Sequence, residues 1–147
     1  MAGLGRWAYG TLLQLGDGMM TEVFTTIAEV KDIDGPDISM DTEDITPHDA
    51  VGGWEEFIPT ILRSGEITFD LNFVPDNAQH GDVSGGLINL LKNRTKRNFQ
   101  LVLPTDPAYT WEFAAYVVGF SNSMPVGGVL GASVTLKVTG SLSLTTA

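Results

Sequence analysis

The chain of 147 residues has no cysteine and only eight basic residues against eighteen acidic ones. Without cysteine, a disulfide framework and thiolate metal ligands are excluded. A transmembrane helix needs about 20 consecutive apolar residues, and no such run occurs. The N-terminus also lacks the charged start and apolar core of a signal peptide, so we expect no membrane insertion.

The net charge of −10 argues against a surface that binds nucleic acid, because such proteins need Lys and Arg to displace counterions from phosphates. The charges are also unevenly distributed along the chain. Ten of the eighteen acids lie in residues 29–56, where Lys31 is the single base, and four of the eight bases lie in residues 92–97. This polarity indicates either head-to-tail self-association or two solvated faces.

The strongest structural signal is a regular alternation of apolar and polar residues just before the middle of the chain. The apolar set is Ile67, Phe69, Leu71 and Phe73, and the polar set is Glu66, Thr68, Asp70 and Asn72. A period of two predicts a half-buried strand. Its polar face requires either bulk water or a water-filled channel in front of it.

A second alternating strand is predicted near the C-terminus. Its inward set is Val134, Leu136, Val138, Leu142 and Leu144, and its other face carries Thr135, Lys137 and Thr139. Further strands are predicted in residues 7–15, in residues 21–33 with Ile27, Val30 and Ile33 inward and a plausible bulge, and in residues 99–103 and 109–120.

A single helix is predicted in residues 82–93, with Asp82 or Ser84 as its N-cap and Leu87, Leu90 and Leu91 buried. The basic residues 92–97 would then lie at its C-terminus, where the helix dipole favours positive charge. We therefore expect one mostly β (α+β) domain over residues 1–147. It would be an antiparallel β-sandwich or partial barrel with one packed helix, and residues 1–6 would form a flexible N-terminal arm.

Residues 39–64 show no clear period and are predicted to form a long loop without secondary structure of its own. The segment contains two prolines, the pair Gly52 and Gly53, and large side chains that include Trp54 and Phe57. Such a loop either folds back over its own core or packs on a neighbouring subunit.

No constellation indicates catalysis, a cofactor or a metal. His48 and His80 are solitary and are expected at the surface, and residues 32–35 lack the spacing of a calcium loop. Residues 127–131 match no dinucleotide or phosphate loop, and the sequon at Asn93 is interpreted as a chance match. We expect a protein that is not an enzyme.

The order of these features resembles the major tail (tail tube) protein of long, non-contractile-tailed bacteriophages, a family similar in fold to type VI secretion tube proteins. The resembling segments cover nearly the whole chain and are residues 30–36, 53–59, 65–75, 86–93, 111–113 and 125–140. The resemblance implies hexameric rings that stack into a tube with a continuous barrel as its inner wall. It also implies a place in the virion tail, after synthesis and assembly in the cytoplasm of the host bacterium.

The implied partners are other copies of the chain, a tape measure protein, a tail terminator and baseplate or distal tail proteins, with DNA passing through without specific binding. The candidates for lining the lumen are Glu66, Thr68, Asp70, Asn72, Thr135, Lys137 and Thr139. The long loop, about residues 41–63, would contact other subunits. The candidates for contacts between subunits or rings are Asp41, Glu43, Asp44, Trp54, Glu55, Glu56, Phe57, Ile58, Lys92, Arg94, Lys96 and Arg97.

Two alternatives belong to other classes. A carbohydrate-binding or adhesin β-sandwich would present a planar cluster of aromatic side chains, whereas Trp7, Trp54 and Trp111 are scattered along the chain. A tail terminator or decoration protein of the same kind of particle would differ only in how it assembles.

Overall fold

A computed structural model describes residues 4–146, which form nine strands and one α-helix. The strands are β1 Leu12–Gly16, β2 Phe24–Thr26, β3 Val30–Asp34, β4 Ser39–Asp44, β5 Phe57–Arg63, β6 Glu66–Asn72, β7 Lys96–Val102, β8 Tyr109–Ser123 and β9 Gly131–Thr146, and the helix is α1 Leu87–Lys92. Seven strands form one sheet in the order β2-β1-β7-β8-β9-β6-β3, while β4 and β5 form a separate hairpin. Every pairing is antiparallel, so the predicted antiparallel, mostly β fold with one helix is confirmed.

The long strands β8 and β9 form a central ribbon that is shared by two staggered half-sheets. β6 pairs with β9 only over Gly131 to Lys137, whereas β7 pairs with β8 only over Thr110 to Tyr116. The strands β6 and β7 therefore flank opposite halves of the ribbon. One half is the four-stranded half-sheet β8-β9-β6-β3, and the other is the five-stranded half-sheet β2-β1-β7-β8-β9.

The core lies on the apolar faces of these half-sheets and under α1. Ile67, Phe69 and Leu71 are at most 1% exposed, which confirms the alternation predicted for β6. The predicted inward residue Phe73 packs against the core from the end of this strand. Burial of each such side chain contributes roughly 1.5 to 3 kcal/mol to folding.

The N-terminal strand is shorter than predicted. β1 begins at Leu12, and the aromatic rings of Trp7 and Tyr9 stack on each other in an exposed segment instead of joining the sheet. Residues 1–3 of the predicted arm lie outside the described residues, and residues 4–6 are exposed without regular structure.

The predicted strand over residues 21–33 is two strands, β2 and β3, separated by a turn in which Glu29 has a positive φ of 63°. The register of β3 against β6 shifts between Val30 and Ile33, as expected for a bulge. Ile27 is buried, and Val30 and Ile33 pack partly buried against the core, so the predicted inward set is confirmed.

The helix is also shorter than predicted, and its caps differ. α1 begins after Gly86, whose backbone serves as N-cap without any side-chain hydrogen bond, so neither Asp82 nor Ser84 caps it. Leu87 and Leu90 are buried and Leu91 packs partly buried against the core, as expected. The predicted set of helix-terminal bases was wrong for Lys96 and Arg97, which belong to β7.

The C-terminal strand follows its predicted alternation only as far as Val138. Val134 and Leu136 are fully buried and Leu142 is partly buried, but Leu144 is exposed, contrary to prediction. The β8–β9 register shifts between Glu112 and Ala114, close to Gly140 with its φ of 80°. Within residues 4–146, β6 pairs with β9 only as far as Lys137, so residues beyond this bulge lie outside the four-stranded half-sheet.

His80 is fully buried, contrary to the expectation of a surface residue, whereas His48 is exposed as predicted. The backbone N–H of Val74 donates to Nδ1 of His80 at 3.1 Å, which requires the proton on Nε2. Nε2 in turn donates to the carbonyl of Ala28 at 2.7 Å. The imidazole thus ties the segment between β6 and α1 to the turn between β2 and β3.

We expect His80→Ala to lower the free energy of unfolding by about 2 to 4 kcal/mol, because it leaves buried backbone groups unpaired and opens a cavity. Urea unfolding of the unassembled protein measures this loss. His48→Ala is the matched control and should change stability by less than about 0.5 kcal/mol. A loss below about 1 kcal/mol for His80→Ala would contradict the bridging role.

Candidate assembly surfaces

The proposed lumen residues share one polar face of the main sheet. Glu66 lies directly opposite Lys137, Thr68 opposite Thr135, and Asp70 opposite Ser133. Directly opposite residues of an antiparallel pair point to the same side of the sheet, so the candidates on β6 and β9 form one surface. Thr139 lies opposite Ala114, beyond the first residue of β6, and therefore belongs to the five-stranded half-sheet.

The polar face of the four-stranded half-sheet carries more acid than base. Glu66 and Lys137 form an ion pair of 3.6 Å between half-exposed side chains, which contributes little to stability. Asp70 adds a carboxylate on the same face, and Asp34 of β3 adds another because it lies opposite Thr68. Asp34 was not predicted from the sequence as a residue of this face. The available signal was that it directly follows the inward residue Ile33, so alternation along the strand places it on the opposite, polar face.

Both outer edges of the four-stranded half-sheet are free within residues 4–146. β3 pairs only with β6, and residues 117–123 of β8 extend past the start of β7. Each edge presents a row of backbone N–H and C=O groups without a strand partner. Such edges are sites where another chain can pair.

Residues 39–64 were predicted to be a loop without secondary structure, and this prediction was wrong. They contain the β4–β5 hairpin, which does not cover the core. Every residue of β5 is exposed, and Trp54 and Leu62 are 77% and 74% exposed. Phe57 and Ile61 alternate with Ile58 and Leu62, so both faces of β5 are apolar. A strand of this kind is typically covered on both sides, and an isolated two-stranded hairpin is only marginally stable in water.

An ion pair joins β4 to β5 at the root of this hairpin, the end opposite its tip. Nε and Nη2 of Arg63 donate to the same carboxylate oxygen of Asp41 at 3.0 and 2.7 Å. Hydrogen bonding to Arg63 lowers the pKa of Asp41, so the pairing is present above the ordinary Asp pKa and is lost as the pH falls through the lowered value. Beside the root lies an open groove of about 870 Å³, whose apolar lining includes Ile38, Leu62, Val138 and Leu142.

Hydrogen bonds also order the tip of the hairpin. Asp44 accepts bonds from the hydroxyl and backbone N–H of Thr46, and these bonds lower the pKa of Asp44. The backbone N–H of Glu56 donates to the Thr46 hydroxyl at 2.7 Å. The carboxylates of Glu43, Glu55 and Glu56 are exposed and form no ion pair within residues 4–146. The tip therefore presents free negative charge beside Trp54.

The four basic candidates lie between the last residue of α1, Lys92, and the second residue of β7, Arg97. Lys92 Nζ pairs with Asp82 at 2.7 Å, which lowers the pKa of that carboxyl. Arg97 donates to the backbone carbonyl of Asp17 at 2.9 Å. Arg94, with a positive φ of 53°, and Lys96 are exposed and have no carboxylate partner in the described chain.

No group of three His, Asp or Glu side chains in the described part of the chain is arranged to hold a metal ion. The helix there is too short to cross a bilayer. The surfaces that remain are sheet edges, a polar face and the apolar, acidic hairpin, which are features of contacts between protein chains.

A family model described as lambda phage tail tube protein, TTP, matches residues 7–145. The chain belongs to this family. It is thus a structural tail tube protein and not an enzyme, and its place is the tail of a phage-like particle. No curated protein matches the sequence.

Solved structures share the tail tube protein fold at low sequence identity. A chain from the tail of an empty gene transfer agent particle, determined with C6 symmetry, has a TM-score of 0.69 and 18% identity, with 96% of this chain and 99% of that chain covered. A chain from the PVC sheath/tube terminator of an extracellular contractile injection system has a TM-score of 0.74 and 17% identity, with 99% of each chain covered. The SPP1 tail tube has a TM-score of 0.62 and 13% identity, with 93% and 77% covered.

Proposed function

We propose that this tail tube protein polymerises as stacked hexameric rings into a tube that conducts viral DNA during ejection. The four-stranded half-sheet supports this proposal most directly, because it combines a polar, acidic face with two free edges. The C6 symmetry of the gene transfer agent tail, whose chain shares this fold, supports six copies per ring.

Strand direction favours the four-stranded half-sheet as the inner wall. β8 runs parallel to β6 and therefore antiparallel to β3. In a ring of identically oriented copies, β3 of one copy would meet residues 117–123 of β8 in the next copy as an antiparallel pair. The five-stranded half-sheet would instead have to pair β9 parallel with the three-residue strand β2.

The dimensions of such a wall suit duplex DNA. Six copies with four strands each, spaced about 4.8 Å apart, give a barrel on the order of 40 Å across its backbone. Asp34, Glu66 and Asp70 would project carboxylates into this lumen. Carboxylates repel phosphates, so DNA would pass without binding to the wall.

The hairpin would form the contacts between copies. Its two apolar faces are exposed in the single chain and would be buried against another subunit or the next ring. A tape measure protein inside the tube, and terminator and baseplate proteins at its ends, complete the proposed set of partners. The similarity to a chain from a sheath/tube terminator supports partners at the tube end.

Negative-stain electron microscopy of the concentrated protein tests this function. We expect six-fold rings and tubes with an open lumen. Single rings that never stack would favour the terminator alternative. A protein that stays monomeric at every concentration would contradict the tube proposal. Binding of such monomers to immobilised sugars would favour the carbohydrate-binding or adhesin alternative.

Asp70→Lys is expected to leave tubes intact but to slow DNA ejection several-fold, because the lumen would gain a ring of phosphate-binding charges. Release of DNA from purified particles after triggering measures the rate. Asp106→Lys, an exposed acid in the β7–β8 loop, is the matched control and should not change it. An unchanged rate of DNA ejection from particles with the Asp70 variant would contradict the proposal that this face lines the lumen.

A further inference from the structure

The surface around the turn between α1 and β7 combines free positive charge with exposed methionines. Of the eight basic residues, Arg63, Lys92 and Lys137 pair with carboxylates in the same chain, and Arg97 is engaged with a backbone carbonyl. Arg6 donates to the backbone carbonyls of Leu4 and Gly5, and Lys31 is exposed on β3 within the acid-rich residues 29–56. Arg94 and Lys96 are the two neighbouring bases that are exposed and form no ion pair within residues 4–146. They are two residues apart in sequence, and Lys96 directly precedes Arg97 and Asn98, whose side chains contact the β1–β2 loop.

That loop is fixed to the start of β7 by two side chains. Arg97 donates to the carbonyl of Asp17, and the side-chain amide of Asn98 donates to the Glu22 carboxylate at 2.7 Å. The fixed loop presents Met20 fully exposed and Met19 68% exposed. Methionine side chains are flexible and polarizable, and they pack well against aromatic rings.

The acids near this surface form no ion pair with Arg94 or Lys96. The Asp82 carboxylate pairs with Lys92, the Glu22 carboxylate accepts bonds from Asn98 and the Gly18 N–H, and the Asp17 carboxylate accepts from the Met19 N–H. The charges of Arg94 and Lys96 are therefore available to a partner.

The hairpin tip has the complementary character. Glu55 and Glu56 are exposed without ion pairs in the described chain, and Trp54 beside them is 77% exposed. The seven residues of β5 span about 23 Å between the root of the hairpin and its tip. Its strands pair only with each other. Within residues 4–146 the tip acids thus have no basic partner in their own copy.

We propose that Arg94, Lys96, Met19 and Met20 form the docking site for the hairpin tip of another copy of this chain. Glu55 and Glu56 face the two cations, and Trp54 packs on the methionines. In a chain with a net charge of −10, a tip docked elsewhere would mostly meet like charge. This docking site rests on the proposed function, because it requires that the chain assembles.

Charge reversal in both partners tests the site. Glu55→Lys with Glu56→Lys, and separately Arg94→Glu with Lys96→Glu, should each raise the protein concentration needed for assembly roughly tenfold. The quadruple variant restores the opposite signs at the original net charge and should assemble close to the wild-type concentration. Asp76→Lys with Asp106→Lys changes the net charge as the first pair does, at exposed turns outside the site, and should not weaken assembly.

A cross-link supplies a second measurement, because the natural chain has no cysteine. Glu56→Cys with Lys96→Cys should give a ladder of covalent multimers when assembled protein is oxidised, while the single variants give at most dimers. A circular dichroism melt of each variant confirms that the fold is intact.

The possible outcomes distinguish failure of the docking site from failure of the proposed tube function. If wild-type tubes form but the quadruple variant assembles no better than the two double variants, or the cross-link is absent, the docking site is overturned and the tube stands. If the wild-type protein forms no tubes, the proposed function falls, and the docking site falls with it.

Discussion

Replacing residues 43–60 by an Asn-Gly turn is expected to give a folded monomer that forms no tubes even at a hundred times the wild-type assembly concentration. The replaced segment contributes no side chain to the buried core, so the fold should remain intact. It contains Trp54, Phe57 and Ile58, which are exposed in the single chain and would supply most of the apolar contact between copies. A residual stub would keep the Asp41–Arg63 pair.

Sedimentation and electron microscopy measure assembly of this variant, and thermal unfolding measures its fold. The control keeps the hairpin but carries His48→Ala at its exposed tip, and it should assemble as the wild type does. Normal tubes from the hairpin deletion would contradict the role of the hairpin in assembly. An unfolded product would show that the hairpin supports its own subunit.

Ile67→Lys is expected to abolish folding, whereas Thr68→Lys should leave the subunit folded. Ile67 is fully buried, and an unpaired ammonium there costs about 4 kcal/mol or more, a large part of the roughly 5 to 15 kcal/mol that stabilise a typical domain. Thr68 is the next residue and lies on the exposed polar face, where a substitution changes stability by less than about 0.5 kcal/mol.

Circular dichroism and urea unfolding of these two neighbours measure the difference directly. Equal stability of the two variants would contradict the assignment of the faces of β6. If Thr68→Lys folds but fails to assemble, its polar face contacts another subunit and does not face an open lumen.

The two faces of β6 were predictable because they meet different surroundings within one subunit. The apolar residues Ile67, Phe69 and Leu71 enter the core, and the polar residues between them stay outside. The same logic failed for Leu144, because alternation states only that two faces differ. It does not state whether another layer covers the apolar one.

The hairpin was not predictable because β5 has no period. Phe57, Ile58, Ile61 and Leu62 occupy both faces, which is a pattern set by contacts that a single subunit does not contain. The helix start was missed for a local reason. A Cβ at Gly86 would lie 2.1 Å from the carbonyl oxygen of Gly81, so a close backbone approach places the helix start there instead of at Asp82 or Ser84.

The candidate surfaces were predictable in part. The register of β6 against β9 brings Glu66, Asp70 and Lys137 onto one face, as their parity along each strand suggested. Asp34 was missed because the short strand β3 could not be separated from its neighbour in the sequence. The burial of His80 was missed because a solitary histidine carries no signal of the two backbone groups that it joins.

The shared β8–β9 ribbon has a mechanical consequence. Because the same two strands, of 15 and 16 residues, run through both half-sheets, neither layer can slide past the other without breaking the hydrogen bonds of the ribbon. Bending a filament built from such subunits must therefore be accommodated at the joints between them. Each subunit would be rigid, and the filament would bend only at the interfaces between subunits.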